Sequence, residues 1–195
     1  MRPALPHLGT APIALHAILQ AMGAEVVLPP KLTRETIEIG ARLAPETMCI
    51  PFKITLGSMV RCLEAGADTL VYSAGSWSCR FGYYGRLQAQ ILRDQGYKLR
   101  LVQLRQDRIP DIVREIRLLN GGRMSLAIIN GLRGLRMGWL KSTAVEEVET
   151  RFREALPSAV SVGDCRRLLD TMLDELLTAE TPRLIGRIRN SARQR

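Results

Sequence analysis

The stretch LEAGADTLVYSAGSWSCRFGYYGRLQAQ, Leu63 to Gln90, decides the fold. Gly66 closes a helical pattern, Thr69 to Ser73 is an apolar β-branched run, and Ala74-Gly75-Ser76-Trp77-Ser78 is a loop. Cys79 then begins or immediately precedes a helix running to about Gln95. Helix, short apolar strand, loop and helix in succession is the mark of βα units on a parallel sheet.

Working outward, the same alternation covers the first hundred residues. Arg2 to Pro6 is a short strand, followed by a helix with Ile13, Leu15, Ile18, Leu19 and Met22 that Gly23 ends. Glu25 to Leu28 is a second strand stopped by Pro29-Pro30, and Thr33 to about Arg42 is helical. Pro51 opens the helix that Gly66 closes. Gly96 ends the next one, before a fourth strand carrying Leu99, Leu101, Val102 and Leu104. The expectation is an α/β, Rossmann-like, open and mainly parallel sheet of about four strands over residues 1–105.

Residues 106–182 read as a helical extension. Ile109 to Leu119 is one helix, broken by Gly121-Gly122. Met124, Ile128, Leu132, Leu135 and Trp139 recur at one helical spacing, and Gly131 and Gly134 predict a weakness or kink there. Asp164 is the expected cap of a helix striped by Cys165, Leu168, Leu169, Met172, Leu173 and Leu176. Thr181-Pro182 starts a basic terminal helix, with residues 183–195 as a basic tail.

The chain has 28 Lys and Arg against 19 Asp and Glu, a formal +9. Residues 1–78 hold six of each sign, so the surplus lies wholly beyond them. Nucleic acid is not an expected partner, because no aromatic side chain interleaves with the terminal arginines to stack on bases. No apolar run suits a signal peptide or membrane span, so a cytoplasmic protein without a membrane partner is expected. G-x-S-x-G, Walker and G-x-G-x-x-G motifs are absent, which removes the usual signposts of serine hydrolysis, nucleotide hydrolysis and hydride transfer.

Four cysteines remain, Cys49, Cys62, Cys79 and Cys165, too widely spaced for a secreted disulfide framework. Cys62 and Cys165 fall in apolar helical patterns and suit a core, though Cys165 also lies near a helix start. Cys49 and Cys79 each lead into a helix. In a parallel sheet such connections gather at one edge, and a helix amino end favours a thiolate, so the pair is a candidate for metal ligation or redox chemistry. Two thiolates do not complete a cubane cluster or a structural zinc site, and the alternative is inert buried cysteines.

The fragments PHLG (Pro6 to Gly9), VVLPP (Val26 to Pro30), APETMCIPFK (Ala44 to Lys53), LEAGAD (Leu63 to Asp68) and SCRFGYYGRLQ (Ser78 to Gln88) occur in this order. Together they resemble the 2-hydroxyacyl-CoA dehydratase superfamily, especially its activase-associated members, over about residues 3–105. The resemblance implies an α/β domain holding a 4Fe–4S cluster through cysteines, supplied with low-potential electrons by an ATP-dependent activase. It implies metal ligands at Cys49, in C-x-P-x-K with Pro51 and Lys53, and at Cys79, in C-R-F-G with Arg80 and Gly82. Lys53 and Arg80 could balance the cluster's negative charge. Cys165, a partner chain or an exogenous ligand would complete the set. Two further thiols of the family pattern fall where this chain has Ser76 and Gly85. Family members continue into a second α/β domain, whereas this chain stops at Arg195, so the resemblance implies a single-domain or truncated member. The expected function is an electron-transfer or cluster-holding component. Its expected partner is a protein, the activase or a second α/β subunit, and it is a possible oligomer. The alternatives are a cluster-less interaction subunit and a basic nucleotide-binding protein.

Overall fold

Pro29 decides how many strands the sheet has. In the computed structural model, which describes residues 1–74, 81–105, 108–119 and 124–194, the sheet has three parallel strands. They are β1 (Pro3–Ala4), β2 (Thr69–Ala74) and β3 (Arg100–Arg105), in the order β1-β2-β3. The strand expected at 25–28 is reduced to a single parallel bridge between Ala4 and Val27, with the Val27 N–H donating to the Pro3 carbonyl at 2.8 Å. The next donor in phase falls at residue 29, and a proline nitrogen has no hydrogen to give. The Rossmann-like, four-strand expectation is therefore corrected to a small three-strand sheet in a largely helical chain, while the α/β class and parallel pairing stand.

Strand alternation sorts the core into two layers. Leu70 and Tyr72 face α3 (Ile50–Glu64) and α4 (Phe81–Asp94), packing with Phe52, Leu56, Met59, Cys62 and Leu92. Val71 faces the other way, with Leu5 and Val102, onto Leu19 and Met22 of α1 (Ala11–Ala21). Thr33 caps α2 (Arg34–Leu43) by accepting from the Thr36 N–H at 3.2 Å. Gly23, Gly66 and Gly96, which follow α1, α3 and α4, take the left-handed conformation that ends a helix.

The second half is helical: α5 (Ile109–Leu119), α6 (Met124–Ala155), a 3-10 turn (Leu156–Ser158), α7 (Val162–Thr178) and α8 (Pro182–Gln194). The expected break at Gly121-Gly122 lies outside the described residues. Helix α6 runs unbroken through Gly131 and Gly134, contrary to the expected weakness. The reason is packing: a Cβ on Gly134 would stand 3.0 Å from the Ile18 carbonyl oxygen, and one on Gly138 would stand 3.0 Å from Ile18 Cγ1. These glycines let the backbones of α1 and α6 approach, and the close packing of the two helices offsets the poor helix propensity of glycine. Ile13 of α1 joins Ala144, Val148, Met172, Leu176 and Ile185 in the helical core, so α1 ties the two halves together.

The cap of α7 is Ser161, not Asp164: the Ser161 hydroxyl accepts from the Asp164 N–H at 3.2 Å. Asp164 instead sits in the first turn, where a carboxylate suits the helix dipole. Most of the expected basic tail belongs to α8, which buries Ile185, Ile188 and Ala192. Arg193 grips both carboxylate oxygens of Glu147 at 3.1 Å. Among the described residues no helix is long and apolar enough to cross a membrane.

Candidate functional site

Cys49 is the N-cap residue of α3. Its backbone is extended, its carbonyl accepts from the N–H groups of Phe52 at 3.1 Å and Lys53 at 3.3 Å, and its side chain makes no capping bond. Pro51 occupies the first turn, where its missing N–H costs nothing. The thiol thus stands exposed at the positive end of a fifteen-residue helix, a position that favours an anionic ligand.

The Sγ of Cys49 meets the hydroxyl of Tyr84, in the first turn of α4. Tyr84 in turn sets its ring edge-on against Phe52, with centroids 4.9 Å apart and an interplanar angle of 86°, and lies 5.3 Å from Phe81. The amino ends of α3 and α4 are therefore side by side. Met48, Phe52, Tyr83, Tyr84 and Leu87 enclose a cavity of about 200 Å³ between them. β2 ends at Ala74 and α4 begins at Phe81. Cys79 and Arg80 fall between these points in sequence and lie outside the described residues, as does Ser76.

A buried polar network fixes how α3 and α4 meet. The Gln88 amide on α4 donates to the Phe52 carbonyl at 2.9 Å and to the Thr55 hydroxyl at 2.8 Å, both on α3. Its carbonyl accepts from the Tyr72 hydroxyl on β2. Gly85 lets α4 lie close on the strand, since a Cβ there would come 2.9 Å from the Cβ of Tyr72. Position 85 is thus a close helix–sheet contact. Sequence reasoning missed Tyr84 and Gln88. The available signal was their spacing, four residues apart and so on one face of the helix that follows Cys79.

Of the other candidate residues, Lys53 is half-buried in the first turn of α3, and Gly82 lies in the first turn of α4. Cys62 is fully buried mid-α3, where burial pushes its thiol up to about 12, the behaviour of an inert core cysteine. Cys165 lies on α7, lining a cavity of about 100 Å³ with Val148, Phe152, Leu168 and Met172, and these surroundings share no residue with those described for Cys49. Among the described residues no three His, Cys, Asp or Glu side chains are grouped to hold a metal ion. Of the thiols proposed as ligands, Cys49 alone stands at the α3–α4 rim among the described residues, short of the four that a cubane takes.

A separate cavity of about 390 Å³ lies between α1, α6 and the α7–α8 turn, lined by Gln20, Arg133, Lys141, Glu180 and Thr181 among others. Lys141 is buried and donates to the Leu177 carbonyl at 2.7 Å, which satisfies an end carbonyl of α7. Burial holds this ammonium below the usual lysine range, and Glu180 opposes the shift. Its role is that of a helix cap.

No family model, curated protein or solved structure matches this chain.

Proposed function

We propose that the chain is an iron–sulfur-type electron-transfer or cluster-holding component, with Cys49 and Cys79 as thiolate ligands at the paired amino ends of α3 and α4. One observation carries the reading: the Cys49 thiol, on the N-cap of α3, touches the first turn of α4, the helix that begins two residues after Cys79 in sequence. Two helix amino ends meeting there favour the negative charge of a thiolate-bound cluster. The likeness of C-x-P-x-K and C-R-F-G to the 2-hydroxyacyl-CoA dehydratase superfamily supports the same pair and the same guest. Lys53 and Arg80 are the cations proposed to balance it. The remaining ligands come from beyond this rim, from a partner chain such as an ATP-dependent activase or a second α/β subunit, or from an exogenous ligand.

The test is anaerobic purification from iron-replete cells, with assays of iron and acid-labile sulfide. Both are expected in the wild type and both are lost in Cys49→Ser and in Cys79→Ser. A colourless, iron-free wild-type protein overturns the reading.

A further inference from the structure

The apolar row that sequence periodicity marks along α6 faces outward. Ile128 is 58% exposed, Ile129 64%, Leu132 65%, Leu135 59% and Trp139 73%. On the opposite side of the same helix Gly134 and Gly138 lie against α1, and Ala144, Val145 and Val148 are buried in the helical core. Helix α6 is thus apolar on two sides, and among the described residues only one of them is covered. Anchors at 128, 132, 135 and 139 follow the spacing with which a helix fills a groove. An exposed apolar surface of this extent marks an interaction site.

Charge selects the occupant. No acidic residue occurs from Met124 to Val145, and Arg136 is exposed four residues after Leu132 and seven after Ile129. That spacing sets its guanidinium inside the apolar sector rather than at its border. Among the described residues it forms no ion pair. Antiparallel pairing with a second copy would bring two Arg136 side chains into one apolar contact with no acid from this stretch to receive them. An anionic lipid surface is the competing occupant, since an arginine beside an apolar face reaches up to headgroup phosphates, and photocrosslinking separates it from a protein. A carboxylate set in an apolar groove meets the guanidinium by the two-pronged pairing arginine favours.

We propose that the Ile128–Trp139 face of α6 is the docking surface for a partner protein that presents an apolar groove with a carboxylate placed to receive Arg136. The surface does not depend on the cluster reading, and an iron-free chain would still carry it.

The test places a photoreactive benzophenone side chain at position 135 of the full chain in its native cells, with mass spectrometry of the irradiated products. The expected product is an adduct with one other protein, through a peptide containing Asp or Glu. Arg136→Glu, a surface change that leaves thermal unfolding unaltered, should cut its yield by roughly tenfold or more. Adducts confined to a second copy or to lipid overturn the proposal. So does a yield no higher than that from the same probe at Val160, a fully exposed control position. An adduct that survives Arg136→Glu undiminished also overturns it.

Discussion

Gln88 shows how one side chain sets the geometry of the rim. Fully buried on α4, it satisfies three groups on two other elements: Tyr72 of β2, and Phe52 and Thr55 of α3. Replacing it with Leu keeps the volume but leaves the Tyr72 hydroxyl without its acceptor in a site closed to water. The expected cost is about 2–3 kcal/mol in urea unfolding. Adding Tyr72→Phe to Gln88→Leu removes the orphaned hydroxyl, so the double variant should be more stable than the sum of the two single losses predicts. Cys49 could be marked from sequence because Pro51 announces a helix start just after it. The tyrosine against its sulfur could not, because that contact joins residues 35 apart.

At the scale of elements, the glycines of α6 make opposite demands although all interrupt the same helical pattern. A Cβ at Gly131 meets nothing, while at Gly134 and Gly138 it runs into α1. Gly131→Ala should therefore be neutral or stabilising by up to about 1 kcal/mol, through helix propensity. Gly138→Val should cost about 2 kcal/mol or more in thermal or urea unfolding, through overpacking against Ile18. Equal effects at the two sites would contradict the α1–α6 packing. Helix ends were legible because their signals are local: Thr33, Pro51, Gly23, Gly66 and Gly96 act on their own turns. The number of strands was not, since Val27 has the right propensity but Pro29 withholds the next ladder donor. The row Ile128 to Trp139 was legible as a row; periodicity alone does not tell a buried face from an exposed one when a helix is apolar on two sides.

In the whole molecule, a small parallel sheet carries helices on both faces, and α1 joins it to a helical half through Ile13, Ile18 and the α6 glycines. The surplus positive charge lies beyond residue 78, and α8 anchors part of it by seating Arg193 on Glu147. The proposed chemistry belongs to the sheet's rim and the proposed docking face to α6, so the two can fail separately. What binds the rim together is the idea that the sulfurs of Cys49 and Cys79 share one crevice. A trivalent arsenical, which is retained only where two thiols can bridge one arsenic atom, reports on that directly. With phenylarsine oxide and the reduced, metal-free chain, the expected result is one arsenic per molecule, abolished by Cys49→Ser or by Cys79→Ser and unchanged by Cys62→Ala. No retained arsenic, or retention indifferent to either serine change, would show that the two sulfurs do not meet.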